Sequence, residues 1–172
     1  VNFSRKLPLS CTSVGLWLNH EPILGVVYDF QREELFSAIT GKGAWLNGER
    51  ILVSDVESRE DAIVCTGFPV NTEFSRGNLT EFVSHVRNYK KVRLMGSAAL
   101  SLAYVACGRV DAYMEDDIMV WDVAGGLALV IGAGGWVGLS PGRKSRAYSV
   151  YASNSKIGKQ KYQRGYDIVF GM

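Results

Sequence analysis

Residues 122–131 are apolar on nearly every side, with Val123, Ala124, Leu127, Ala128, Leu129, Val130 and Ile131 leaving no polar stripe. A helix at a protein surface keeps one face polar, so a helix with this pattern has to be buried between layers. The chain has 172 residues, 47% of them hydrophobic and 21% charged. That is enough to bury a core, either as one large domain or as two small lobes.

The residues before this helix show two textures. From 9 to 53 the pattern is β throughout. A loosely alternating run at 10–18, a turn at Asn19-His20-Glu21-Pro22, a second run at 23–30 and a third at 34–40 predict a meander. Gly41-Lys42-Gly43 breaks it, and Asn47-Gly48 is the strongest hairpin signal, because a type I′ turn needs positive φ at both central residues. After Ser54 strands alternate with helical periods. A strand is predicted at 62–66, an amphipathic helix at 74–89 on Leu79, Phe82, Val83 and Val86, and a strand at 91–95. Ser97 then caps a helix over 98–107 that stops at Gly108, and a strand follows at 110–115. Beyond the buried helix come strands at 136–139 and 148–152, and a closing helix from Asn154 onward. The expected fold is a mixed, layered α/β or α+β sandwich, with an antiparallel-sheet lobe over 1–54 and an α/β lobe over 55–172.

Several function classes receive no support. Nineteen basic and 17 acidic residues leave a formal charge of +2, too small for nucleic acid without a clustered patch. Lys156, Lys159, Lys161 and Arg164 read as a solvated helix face. No run of about 18 apolar residues predicts a membrane span. Cys11, Cys65 and Cys107 lie far apart without zinc spacing, so they read as buried free thiols in a reducing, cytoplasmic compartment. His20 and His85 are isolated and read as surface loop or helix residues.

Two acidic positions invite chemistry. Asp122 stands at the head of the buried helix, where a carboxylate either caps free backbone N–H groups or binds a cation. Glu115-Asp116-Asp117 comes where the strand at 110–115 should end and a loop begin. A strand end facing a helix N-terminus is where α/β folds place ligands. One carboxylate from each would suit magnesium, which takes oxygen ligands together with substrate phosphate and water. Gly96-Ser97-Ala98 runs from strand to helix and presents backbone N–H groups at a positive helix end. Gly132-Ala133-Gly134-Gly135 closes a helix and opens a strand, so it is a C-cap and not a dinucleotide loop.

Trp121-Asp122-Val123-Ala124-Gly125 followed by Ala133-Gly134-Gly135 resembles the C-terminal signature of the inositol monophosphatase family, within the magnesium-dependent, lithium-sensitive phosphatases. The resemblance extends in order through Val1-Asn2-Phe3, Gly25-Val26-Val27-Tyr28, Gly41-Lys42-Gly43-Ala44, Asn47-Gly48 and Thr66-Gly67-Phe68-Pro69. It continues through Arg93, Gly96-Ser97-Ala98-Ala99 and Gly108-Arg109-Val110-Asp111-Ala112. It implies an αβαβα phosphatase in which Mg2+ ions bridge enzyme and phosphate while an activated water attacks phosphorus. It makes Asp122 a metal ligand that also touches a substrate hydroxyl, Glu115 a binder of sugar or inositol hydroxyls, and Gly96, Ser97 and Ala98 part of the same pocket. A homodimer is implied as well.

The family's upstream glutamate pair and Asp-Pro-Ile/Leu-Asp-Gly-Thr/Ser motif do not occur in this sequence, and Val1-Asn2-Phe3 resembles the continuation of that motif. The expectation is an N-terminally truncated scaffold, inactive or nearly so by itself, with an exposed apolar patch and a tendency to associate. No catalytic residue beyond the binding set is assigned. Fructose-1,6-bisphosphatase, bisphosphate nucleotidase and histidinol-phosphatase activities stay open, with residues 70–78 and Asp116-Asp117 as the places where specificity would differ. A non-catalytic scaffold or interaction module is the alternative of another class.

Overall fold

The computed structural model describes residues 1–68, 75–158 and 167–170. A 3-10 turn at Phe3–Arg5 leads into an antiparallel meander of β1 (Thr12–Leu18), β2 (Glu21–Asp29), β3 (Glu34–Ile39), β4 (Gly43–Leu46) and β5 (Glu49–Ile51), which form a five-stranded sheet in chain order. Asn47 and Gly48 have φ of 50° and 87°, as the hairpin signal required. The first turn is tighter than the expected four residues. Asn19 and His20, both at positive φ, make it alone, so Glu21 and Pro22 already belong to β2. Pro22 is tolerated because the register shifts opposite it, between Leu16 and Trp17.

The second sheet is six-stranded, in the order β11-β9-β10-β8-β6-β7. It is built from β6 (Ile63–Thr66), β7 (Lys91–Arg93), β8 (Ala112–Met119), β9 (Trp136–Pro141), β10 (Ala147–Ser153) and β11 (Ile168–Phe170). β6 runs parallel to β7 and β8, and the remaining pairs are antiparallel. Its helices are α1 (Arg76–Val86), α2 (Ala98–Ala106), α3 (Val120–Gly132) and the single turn α4 (Ser155–Gly158). Of the closing helix expected from Asn154, the described residues show the turn Ser155–Gly158. Residues 159–166 lie outside the described residues, and β11 follows, its β-branched and aromatic side chains suiting a strand edge. Among the described residues no helix is long and apolar enough to cross a membrane.

α3 is the buried helix of the sequence reading. It lies against the first sheet on one side and against α2 and the second sheet on the other. The fit depends on glycine: Gly15 and Gly25 pair across β1 and β2, and Gly125 of α3 rests on them. A Cβ at Gly15 would stand 2.6 Å from the Gly125 nitrogen, and one at Gly126 would stand 2.5 Å from Leu102 Cβ. Leu127 and Leu129 of α3, Leu100 and Leu102 of α2, and Val27 and Phe36 of the first sheet share one core and are fully buried. The result is a layered α+β arrangement.

α1 starts at Ser75, whose side chain accepts from the Asn78 amide at 3.2 Å, and Phe74 lies outside the described residues. Its apolar stripe is covered only in part. Phe82 meets Phe68 at 4.7 Å between ring centres and Val86 joins a small core, while Leu79 and Val83 are exposed. The expected apolar patch is present elsewhere, on the outer face of the first sheet. Val14, Leu16 and Leu18 of β1 stand exposed there with Leu35 and Ile39 of β3.

Candidate active site

The acidic cluster is not a loop. β8 runs through Glu115, Asp116 and Asp117 to Met119, and the chain turns directly into α3. The strand continues because β10 keeps pairing with it, from Ala112 opposite Ser153 to Met119 opposite Ala147. Asp122 does not cap α3 either. The N-cap position belongs to Met119, which makes no side-chain cap bond, and Asp122 sits within the first helical turn. Among the described residues its carboxylate has no hydrogen bond and no ion pair. Desolvation raises its pKa above the ordinary value.

Glu115 is held more closely. The Tyr113 hydroxyl, two residues earlier and so on the same strand face, donates to Glu115 Oε2 at 2.9 Å. Burial pushes the Glu115 carboxyl up to about 7, the charges of Asp122 and Asp116 add to the rise, and the Tyr113 bond opposes it. Tyr113, fully buried beside that carboxylate, is itself pushed well above its usual range. Gly67 packs on the Glu115 carboxylate so closely that any Cβ would displace it.

Ser97 caps α2, accepting from the Leu100 amide at 3.4 Å, and its carbonyl accepts from the Ser101 hydroxyl at 2.8 Å. Gly96, at φ 66°, makes the corner before it. The Asn2 amide group lies against Gly96 and donates to the carbonyls of Leu9 and Met95, each at 2.9 Å. This ties the start of the chain to the corner that opens α2.

All these elements meet at a cavity of about 550 Å³. Gly96, Ser97, Ala98, Glu115 and Asp122, named from sequence as site residues, all line it. Val1, Cys11, Ser13, Tyr113, Ile118 and Trp121 line it too and were not assigned to a site from sequence. For Tyr113 a signal existed in its two-residue spacing from Glu115. Cys11 and Ser13 reach the cavity only through the packing of β1 on α3, which no local pattern encodes. Cys11 Sγ lies 3.8 Å from Ser97 Oγ, and burial raises its pKa, as it does for Cys65 and Cys107; all three thiols are free. Residues 70–74 of the expected specificity loop lie outside the described residues.

Magnesium is usually held by one or two carboxylates together with substrate phosphate and water. Asp122, with an unengaged carboxylate at the cavity, suits such an ion as one ligand. Glu115 is bonded by Tyr113 and pushed toward its neutral form, so it suits hydroxyl groups better. Among the described residues no three His, Cys, Asp or Glu side chains come together to hold a metal.

Residues 1–165 match the inositol monophosphatase family. The chain belongs to the inositol monophosphatase family. Over 171 residues it is 39% identical to the inositol-1-monophosphatase of Synechocystis, a match covering 94% of this chain and 58% of that protein. Over 137 residues it is 43% identical to the protein named Nus factor SuhB in Xylella fastidiosa, covering 79% of this chain and 50% of that one. The solved inositol monophosphatase of Anabaena superposes with a TM-score of 0.82 at 38% identity, covering 92% of this chain and 64% of the other. This family member therefore spans between half and two thirds of the length of these relatives.

Proposed function

We propose that this chain carries the substrate-binding half of a magnesium-dependent phosphomonoesterase acting on an inositol phosphate or a related sugar or polyol phosphate. The observation that carries the reading is the convergence on one cavity of Asp122, Glu115 and the N-terminus of α2. In this reading Asp122 is the metal ligand and accepts from a substrate hydroxyl. Bound there with the remaining ligands, magnesium would neutralise phosphate charge and lower the pKa of the attacking water. Glu115 orients the polyol. Its two carboxylate oxygens can accept from neighbouring hydroxyls of the polyol. Gly96, Ser97 and Ala98 support the same side of the substrate with the positive end of α2.

The reading extends to a division into lobes at 1–54 and 55–172, a homodimer and a cytoplasmic location. With no second strong carboxylate ligand beside Asp122 among the described residues, the 172-residue chain is expected to be inactive or nearly so. The test is phosphate release from inositol 1-phosphate and fructose 1,6-bisphosphate with added Mg2+. It compares this chain with a form carrying any sequence encoded upstream, each also as Asp122→Asn. Activity in the extended form that disappears with Asp122→Asn supports the reading, and activity that survives the substitution removes Asp122 from the metal site.

A second reading, a partner-binding role without catalysis, is favoured by the 43% identity to a protein named as a Nus factor. It predicts that Asp122→Asn leaves the biological role intact.

A further inference from the structure

Tyr113 and Glu115 face the cavity with the two-residue period of a strand, and the next residue in that period is Asp117. The side chain that lines the cavity is instead that of Ile118. The phase changes because Asp116 and Asp117 together oppose Ser149. Glu115 pairs with Val150, and Ile118 pairs with Tyr148. This is a β-bulge, and it reverses which face each later side chain takes. Ile118 accordingly packs on the main core with Tyr113, while Met114 packs on the smaller one.

The bulge has a cost and a fastening. Asp117 sits at φ 53°, in the left-handed region that non-glycine residues seldom adopt. Its side chain is only 11% exposed. It accepts from the Arg143 amide at 2.6 Å and from Arg143 Nε. A Cβ at Gly142 would stand 2.7 Å from Asp117 Oδ1, so the β9–β10 turn reaches the bulge because glycine stands there. Burial pushes the Asp117 carboxyl upward, but the Arg143 amide and guanidinium outweigh it and keep the pKa below the ordinary range.

We propose that Asp117 and Arg143 are positioning residues whose ion pair locks the bulge in β8, turning a third carboxylate out of the cavity and setting how Glu115 meets Asp122. The consequence for binding rests on the phosphate-ester reading above, whereas the lock itself does not.

Nuclear magnetic resonance on the 172-residue chain separates the two. The variants are Arg143→Ala, Arg143→Lys and the double variant Asp117→Gly with Arg143→Ala. The register readout is the cross-strand contact between Ile118 and Tyr148, and the site readout is the Mg2+ concentration at which the Glu115 and Asp122 amides shift. Arg143→Ala should lose the Ile118–Tyr148 contact and raise the midpoint at Glu115 about tenfold. Lysine should restore both in part. The double variant should restore the contact, because glycine adopts positive φ freely and no buried carboxylate is left without its partner. An Arg143→Ala protein that keeps the contact and the midpoint overturns the lock. Loss of the contact in a chain whose wild type shows no Mg2+ response upholds the lock and overturns the metal reading instead.

Discussion

The two ends of α3 are finished in opposite ways. At the C-terminus the Gly134 amide donates to the Ile131 carbonyl at 3.0 Å and the Gly135 amide to Val130 at 2.8 Å, with Gly134 at φ 84°. This is a Schellman closure that satisfies the last carbonyls. At the N-terminus Met119 offers no side-chain cap, Trp121 is 57% exposed and Asp122 lacks a partner among the described residues. One end is closed for stability, whereas at the other, among the described residues, only the Val120 amide is taken, by the Arg146 carbonyl at 2.9 Å, and Trp121 and Asp122 face the cavity. Capping groups withheld from a helix start are groups available to a ligand.

Substitutions can break or sharpen this contrast. The largest effect is expected in the middle of the helix, where Gly125 lies on Gly15 and Gly25. Gly125→Val should destabilise by more than about 4 kcal/mol, because the nearest atom to an added Cβ is the Val14 carbonyl oxygen, 2.7 Å away and fixed in the sheet backbone. Urea unfolding would show this, and a loss below about 1 kcal/mol would mean that the layers are looser than the contacts indicate.

Glu115→Gln should stabilise the open end in a pH-dependent way. The folded pKa of Glu115 is raised to about 7, so between the unfolded value and 7 the folded state holds the extra proton. Stability is therefore lost as pH rises through that window. The substitution should gain up to about 3 kcal/mol at pH 8 and almost nothing at pH 4. A gain equal at both values would remove Glu115 titration as the cause.

At the closed end, Gly134→Ala should cost about 1–2 kcal/mol through left-handed strain alone, measured by thermal or urea unfolding. Asp122→Asn should have the smallest effect on stability, within about 0.5 kcal/mol, since no fold contact depends on its carboxylate. A large loss there would make Asp122 a structural residue.

The closed end and the body of α3 were legible because their signals are local. An all-apolar period means burial, and glycine after a helix means a left-handed stop. Ser97 and Asn47-Gly48 were legible for the same reason. The bulge was not, because three consecutive acids resemble a loop and only pairing with β10 keeps them in a strand. The role of Asp122 as an uncapped first-turn residue depends on where the helix starts, three residues earlier than the charge suggested. Tyr113, Cys11 and Ser13 reach the cavity through the stacking of layers. The third acid turned outward at Asp117 is explained by Arg143, distant in sequence.

The most direct test of the contrast is Mn2+ broadening of amide resonances in the wild-type chain and in Asp122→Asn. The account predicts that the metal broadens Trp121, Asp122 and Val123 and leaves Ala133, Gly134 and Gly135 sharp, and that the substitution abolishes the broadening. Broadening that persists in Asp122→Asn, or that centres away from the first turn of α3, would contradict it.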